Sequence, residues 1–445
     1  MTKKHYYIKT FGCQMNVYDS ERIANILETL GFSAAATPKA ADLIIFNTCH
    51  IREKAAEKVF SDLGRAYNIK LEREAEGLDT IIGVMGCVVQ AEDNQIAVRA
   101  PFVDFATGPL TYHRLPEILA RLGRKKGKTL IDTEFPAESK FDFLPQNHST
   151  GGCSYLAIQE GCNNFCTYCV VPYTRGVEYS RPVKDVVAEA KRLVEGGTLE
   201  INLLGQNVNS YHGEDMSGKE RNLAFLLGEI AKIDGLKRIR YTTSYPADVD
   251  DDLIACHKDL QTLMPYLHLP IQSGSDKILK AMNRRHNSAD YLRIVDKLQN
   301  ANPDIRMSSD FIVGFPGEED EDFQATLDIV NRVKFIQAFS FKYSRRAGTP
   351  AAVMKNQVEE KIKKQRLETL QDLLFSYQLK FNKETVGKIM PVLFDMKGRH
   401  AGQLIGRTPY MQNLHADLGK EYLNKIVNIK VTEATANSLS GIMEG

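Results

Sequence analysis

Cys162, Cys166 and Cys169 lie in the run Gly161-Cys162-Asn163-Asn164-Phe165-Cys166-Thr167-Tyr168-Cys169-Val170. Three thiolates on one tight loop can hold three corners of an iron–sulfur cubane and leave the fourth iron open. A cluster with four protein ligands usually carries electrons, whereas one with an open iron can bind and reduce a small molecule. Cysteine groups also bind zinc. Zinc needs a fourth ligand, and neither His148 nor Cys153 stands at the usual finger spacing.

A second constellation rests on placement. Tyr6-Tyr7-Ile8-Lys9 runs to Gly12-Cys13, Leu43-Ile44-Ile45-Phe46 to Asn47-Thr48-Cys49, and Ile81-Ile82-Gly83-Val84-Met85 to Gly86-Cys87. Each cysteine thus follows a strand pattern. The first intervening segment reads as a helix capped by Asp19 or Ser20, with Ile23, Ile26, Leu27 and Leu30 on one face and Gly31 at its end. Strands alternating with helices imply a mostly parallel sheet whose strands all finish at one edge. Cysteines just past three strand ends can converge there, where open α/β sheets bind ligands. Gly12 and Gly86 would let the backbone approach a bulky cluster. The alternative is three unrelated cysteines buried as small apolar groups.

The elements that must position these groups belong to an ordinary globular chain. It has 445 residues, 43% hydrophobic, with formal net charge +1, enough for two or three domains. Met1-Thr2-Lys3-Lys4-His5 leads into a strand with no apolar export region, and no run suits a transmembrane helix. Eight cysteines in so large a chain favour metal ligation in a reducing cytoplasm over a disulfide framework.

The middle alternates strand candidates (156–158, 199–204, 239–243, 267–271, 307–313, 338–343) with helical patterns such as 183–194, 223–233, 289–298 and 323–333. Six such units suit an open α/β barrel with its working residues at strand C-terminal ends. Those ends read Gly205-Gln206-Asn207, Ser244-Tyr245-Pro246, Gln272-Ser273-Gly274-Ser275 and Gly314-Phe315-Pro316-Gly317-Glu318. Turn formation alone also selects Gly, Pro, Ser and Asn.

A polar basic helix over 358–379 precedes short strand patterns at 388–395, 401–406, 426–431 and 439–443, which suggest a small β-barrel. From Arg332 to Arg407 there are 16 Lys and Arg against 6 Asp and Glu, an excess of +10. Such an excess suits phosphate binding, or simply a solvated face. There is no tryptophan, but Tyr343, Phe381 and Tyr410 are available to stack on bases. Cys256 reads as a core cysteine of a helix over 249–260, and Cys153 stands near the cluster loop without an assigned role.

The Cys-x3-Cys-x2-Cys spacing with Tyr168 before the last cysteine resembles the signature of the radical S-adenosylmethionine (SAM) superfamily. With the strand-end cysteines, the chain is similar over essentially its whole length to the methylthiotransferase family. Gly12-Cys13-Gln14-Met15-Asn16, Ile51-Arg52-Glu53-Lys54-Ala55, Lys58-Val59-Phe60, Val170-Val171-Pro172-Tyr173-Thr174-Arg175-Gly176 and Gly205-Gln206-Asn207-Val208-Asn209-Ser210-Tyr211 look like its tRNA-modifying branch, with departures at His50 and Val88-Val89.

The resemblance implies an α/β fold: an N-terminal parallel α/β domain (1–138) with an auxiliary cluster, a linker (139–150), an open six-fold radical SAM barrel (151–376) and a C-terminal TRAM domain (377–445), an OB-like RNA-binding module. It implies two [4Fe-4S] clusters, one on Cys162, Cys166 and Cys169 and an auxiliary one on Cys13, Cys49 and Cys87, with SAM contacted by Tyr168, Gln206, Ser244, Gln272 and Ser273. No catalytic residue is assigned beyond the cluster ligands. The implied reaction is methylthio addition to carbon 2 of N6-isopentenyladenosine at tRNA position 37: one SAM methylates a cluster sulfur, and a second yields the radical that takes the carbon 2 hydrogen. The base would have to leave its stack. Other branches act on threonylcarbamoyl-adenosine or on a ribosomal-protein aspartate. A zinc-containing RNA-binding protein is the non-enzyme alternative. The resemblance also brings a flavodoxin- or ferredoxin-like electron donor and a cytoplasmic location with no membrane partner. The oligomeric state stays open, with a monomer as the expectation.

Overall fold

The computed structural model describes residues 3–49, 53–123, 129–147 and 151–444. His50, Ile51, Arg52 and His148 lie outside the described residues, as do the side chains of residues 53–57. The chain forms two compact units. The first comprises residues up to Asn147 with Glu160–Asn163 and Val170–Glu178, and the second takes the remainder. Among the described residues no helix is long and apolar enough to cross a membrane.

The first unit has strands β1 (His5–Thr10), β2 (Ser33–Ala34), β3 (Leu43–Thr48), β4 (Ile81–Gly86), β5 (Phe105–Thr107) and β6 (Leu130–Asp132). They form one parallel sheet in the order β2-β1-β3-β4-β5-β6. Helices α1 (Gln14–Thr29), α2 (Glu53–Ala75), α3 (Cys87–Ala91), α4 (Asp93–Arg99), α5 (Leu115–Leu122) and α6 (Val171–Arg175) belong to the same unit. Every residue of β3 is buried, as expected of a strand covered on both faces. Its alternate residues feed two cores: Ile44 and Phe46 join Phe11, Val59 and Leu63, while Leu43 and Ile45 join Ile23, Leu27 and Leu115. Val88 and Val89 lie in the first of these cores.

Helix α1 corrects one expectation. It starts at Gln14 with Cys13 as its N-cap, so Asp19 and Ser20 are buried in its body and cap nothing. Their polar atoms have other partners: the Ser20 hydroxyl meets Thr10 Oγ1 at 2.7 Å and accepts from Asn47 Nδ2 at 2.9 Å. Gly31, at φ +83°, does turn the chain out of the helix.

In the second unit β7 (Cys153–Ala157), β8 (Glu200–Leu204) and β9 (Arg238–Tyr241) form one parallel sheet, and β10 (Tyr266–His268), β11 (Arg306–Val313) and β12 (Gln337–Lys342) another. A parallel bridge between Ile239 and Leu263 links the two sheets in chain order. Among the described residues β7 does not pair with β12, so the barrel is open. Strands alternate with α7 (Val183–Glu195), α8 (Leu223–Ala231), α9 (Asp251–Asp259), α10 (Asp276–Ala281), α11 (Ser288–Ala301) and α12 (Asp320–Val333), whose apolar faces share one core with the strands.

Helix α13 (Glu360–Thr385) leads through a short turn at 386–388 into a closed barrel of β13 (Ile389–Lys397), β14 (Gln403–Arg407), β15 (Asn413–Asp417), β16 (Lys425–Ala434) and β17 (Leu439–Met443). Strand β15 was not expected, because only Leu414 and Ala416 of its five residues are apolar and buried. The small barrel is tied to β8 and β9 by a polar knot. Arg238 donates to the carbonyls of Arg407 and Pro391, Arg240 donates to those of Thr408 and Pro409, and both guanidinium groups pair with the buried Glu200 carboxylate.

Candidate active site

Strands β1, β3 and β4 are neighbours in the sheet, and Cys13, Cys49 and Cys87 follow their C-terminal ends. Adjacent strands lie about 4.8 Å apart, so the three thiols share one edge. Cys13 N-caps α1, which sets its sulfur at the positive end of a helix. A hydrogen bond from Cys49 lowers the Cys13 thiol to about 6, assisted by the Arg175 charge and opposed by burial. Burial instead holds Cys87 above the ordinary thiol range, against the pull of Arg175.

The two glycines have close neighbours within the protein itself. At Gly12 (φ +101°) a Cβ would stand 2.1 Å from Cys49 Cβ and 2.6 Å from its sulfur. At Gly86 (φ +99°) it would meet the Thr48 carbonyl at 2.4 Å. The glycines therefore let the cysteine-bearing loops approach one another. Asn16 ties the same loops together: its Nδ2 donates to the carbonyls of Phe11 and Thr48.

Beside the thiols lies a buried charge network that the sequence did not reveal. Arg175 donates to Glu160 Oε1 at 2.6 Å, to Asp19 Oδ2 at 2.7 Å and to Asn16 Oδ1 at 3.1 Å. Lys140 donates to Glu160 Oε1 at 2.7 Å, to Asp19 Oδ1 at 3.3 Å and to the Pro109 carbonyl at 3.0 Å, and lies over the Tyr112 ring. Burial opposes charge on Asp19, yet Arg175 and Lys140 keep its carboxyl below the usual range. Two cations and two carboxylates balance here, so the charges stay paired out of water.

Cys162 belongs to the first unit, where its N–H donates to the Gly176 carbonyl. Cys166 and Cys169 belong to the second, in a turn closed by Cys169 N–H to the Cys166 carbonyl. In that unit residues 281–285 grip the loop. Thr167 donates through its N–H and its hydroxyl to the carbonyls of Met282 and Ala281, and Asn283 Nδ2 donates to those of Asn164 and Phe165. Arg284 reaches Cys166 Sγ at 3.7 Å.

The five residues expected to contact SAM all lie in the second unit, in different settings. Tyr168 packs against Ile278, Met282, Phe315, Tyr343 and Ala351, and burial keeps its phenol protonated well above the usual range. Ser244, past β9, is buried, and its hydroxyl has no protein partner. Gln206 is half-buried past β8, and Gln272 holds a positive φ of +77°. The Ser273 hydroxyl accepts from Ser275 N–H and meets Thr326 Oγ1. Several polar neighbours are braces: Asn209 exchanges two hydrogen bonds with the Tyr245 backbone, and Glu318 accepts from Gly314 N–H and Arg366. Turn chemistry accounts for those.

Three other positions differ from expectation or refine it. Tyr343 is 3% exposed and packs edge-on against Phe315, which removes it as a stacking surface, while Phe381 and Tyr410 pack on each other. Cys153 opens β7, so four strand residues, about 13 Å, separate it from the end that leads to the cluster loop. It is held by Asn202 Nδ2 at 3.2 Å, and burial raises its thiol to about 12. Cys256 is half-buried on α9, with its thiol toward the Ala224 carbonyl. Among the described residues no three His, Cys, Asp or Glu side chains close on a single metal ion.

Comparison with known proteins matches residues 156–330 to the Radical SAM superfamily, residues 5–108 to Uncharacterized protein family UPF0004 and residues 383–443 to the TRAM domain. The fold is similar to a radical S-adenosylmethionine methyltransferase, TsrM, from Kitasatospora setae, at TM-score 0.58, 13% identity, and coverage of 79% of this chain and 75% of that one. It is also similar to the cobalamin-dependent S-adenosylmethionine radical enzyme OxsB, at TM-score 0.52 and 13% identity over 84% of this chain and 58% of that one. In sequence it is 54% identical, over 100% of its length and 98% of the relative's, to a tRNA-2-methylthio-N(6)-dimethylallyladenosine synthase of Maricaulis maris (strain MCS10). The chain therefore belongs to the methylthiotransferase family of radical SAM enzymes, in the branch of the tRNA-2-methylthio-N(6)-dimethylallyladenosine synthases.

Proposed function

We propose that this chain adds a methylthio group to carbon 2 of N6-isopentenyladenosine at position 37 of tRNA. The reading is supported by full-length similarity to a synthase of that name and by the radical SAM and TRAM matches. SAM and one [4Fe-4S] cluster are the cofactors that the radical SAM match implies. The observation that supports the finer reading, a second [4Fe-4S] cluster, is that Cys13, Cys49 and Cys87 follow the ends of three neighbouring strands at one sheet edge. An all-thiol donor set suits iron and sulfide.

When bound, these groups supply a radical able to take hydrogen from an aromatic carbon and a sulfur to replace it. The chain's own residues do the rest. Cys162, Cys166 and Cys169 hold one cluster, and Cys13, Cys49 and Cys87 the other. The Ser244 hydroxyl, buried without a protein partner, is a hydrogen-bonding group for SAM, and Tyr168 gives a neutral apolar wall. Gln206, Gln272 and Ser273 complete the contacts proposed at the strand ends. We take 1–138, 139–150, 151–376 and 377–445 as the working divisions of the chain, a flavodoxin- or ferredoxin-like protein as electron donor, and the cytoplasm as the place of action of a monomer.

The test is mass analysis of nucleosides from isopentenyl-bearing tRNA incubated anaerobically with reconstituted protein, SAM and a reductant, alongside Cys13→Ala. Methylthio product only with intact Cys13 supports the reading. SAM cleavage without product would move the substrate to threonylcarbamoyl-adenosine or a protein aspartate. Stoichiometric zinc without iron would end the enzyme reading.

A further inference from the structure

Arg284 is a half-buried cation placed at one thiol of the cluster loop. Its Nη1 lies 3.7 Å from Cys166 Sγ, its Nη2 donates to the Pro270 carbonyl at 2.6 Å, and its guanidinium covers the Tyr245 ring at 4.1 Å. Among the described residues no carboxylate pairs with it, whereas the next residue, Arg285, pairs with Asp248. Both arginines flank one ring: Arg285 N–H donates to the Tyr245 hydroxyl at 2.7 Å. Tyr245 is itself pinned through its backbone by Asn209. The loop side is just as constrained by the bonds from Thr167 and Asn283. Arg284 therefore does not reach Cys166 by chance rotation of a long side chain; every neighbour that aims it is held.

We propose that Arg284 is a positioning residue that donates a charge-assisted N–H···S hydrogen bond to the Cys166 thiolate and so raises the reduction potential of the cluster held by Cys162, Cys166 and Cys169. Reduction adds one negative charge to the cluster, so a fixed cation and donor at a ligand sulfur stabilises the reduced form more than the oxidised one. Cys166 is buried and Arg284 half-buried, so water screens the interaction less than at an exposed site. The inference rests on the reading of Cys166 as a cluster ligand.

The experiment is an EPR-monitored redox titration, without SAM, on full-length protein carrying Cys13→Ala, Cys49→Ala and Cys87→Ala, so that one cluster remains. Iron content and the EPR signal test the ligand reading separately: if Cys166→Ala keeps both unchanged, that reading fails and this proposal with it. Given a cluster lost in Cys166→Ala, Arg284→Met is expected to lower the reduction equilibrium about tenfold, a fall of about 59 mV for one electron. Arg284→Lys, which keeps the charge without the fork, should fall between. An unchanged midpoint in Arg284→Met with iron content intact overturns the proposal. Should Arg284→Met take up no iron, Arg284→Gln decides on the same criterion, a lowered midpoint supporting the role and an unchanged one overturning it.

Discussion

Arg175 donates to Asp19 at 2.7 Å with both side chains almost sealed from solvent, although 156 positions separate them in the chain. Asp19 lies one and a half turns into the helix that Cys13 caps, and Arg175 ends the short helix that follows the cluster loop. The pair thus fastens α1, with its cysteine, to the segment that continues from Cys162. Arg175→Met would leave Asp19 charged and buried with only Lys140 to pair it. Removal of one partner of a buried pair costs about 3–5 kcal/mol. The expected result is a markedly lower melting temperature for the first unit and, on the proposed two-cluster reading, reduced iron uptake at Cys13, Cys49 and Cys87, measured by calorimetry and iron analysis. Melting and iron content equal to those of the unaltered chain would refute the brace.

Gly12→Ala tests the close approach of the cysteine loops. Alanine would have to hold φ near +101° and place its methyl inside Cys49. Backbone strain alone costs about 1–3 kcal/mol, and Cys49 must move. On the proposed two-cluster reading, iron content should fall from about eight per chain toward the four of a single cubane, while SAM cleavage by the other cluster persists. Full iron content would show that the contact with Cys49 is not needed.

The attachment of the C-terminal barrel depends on Arg240. Arg240→Met removes its bonds to the Thr408 and Pro409 carbonyls and strips the buried Glu200 of its nearer cation at 3.0 Å. The small barrel should become an early target in limited proteolysis, with cleavage on the 385–410 side, and tRNA affinity should drop several-fold. Unchanged digestion would mean that Arg238 alone suffices.

His257 sets a pH dependence. Its ring is buried beside the Tyr241 hydroxyl at 2.6 Å, and burial lowers its pKa to about 4 from an ordinary 6.5. The unfolded chain binds this proton near pH 6.5 and the folded chain only near 4. Stability contributed by neutral His257 is therefore complete above about pH 6.5 and is lost as pH falls toward 4. At about 1.4 kcal/mol per pKa unit, the loss is on the order of 3 kcal/mol. Denaturant midpoints measured from pH 7 to 4.5 should fall less steeply in His257→Gln; identical slopes would refute the assignment.

Much of this architecture was legible because its signals are local. Strand runs ending at Cys13, Cys49 and Cys87 declare a parallel sheet and its edge, since a period of two residues and a following turn are properties of adjacent positions. The spacing of Cys162, Cys166 and Cys169 is likewise a property of one loop. The small barrel was visible in outline, but β15 escaped because a strand at the surface of a barrel needs only Leu414 and Ala416 to face inward.

The sequence by itself thus determined the alternation of the main strands and helices, the three-cysteine sets and the family to which they point. Tertiary structure alone decided which charges meet. Asp19 read as a helix cap because a carboxylate near a helix start is usually one, yet the chain buries it against Arg175 and Lys140. Nothing local announces such a pairing, because the energy that selects it arises only when distant segments exclude water together. The same holds for Arg284, 118 residues from Cys166 in sequence and 3.7 Å from its sulfur in the fold.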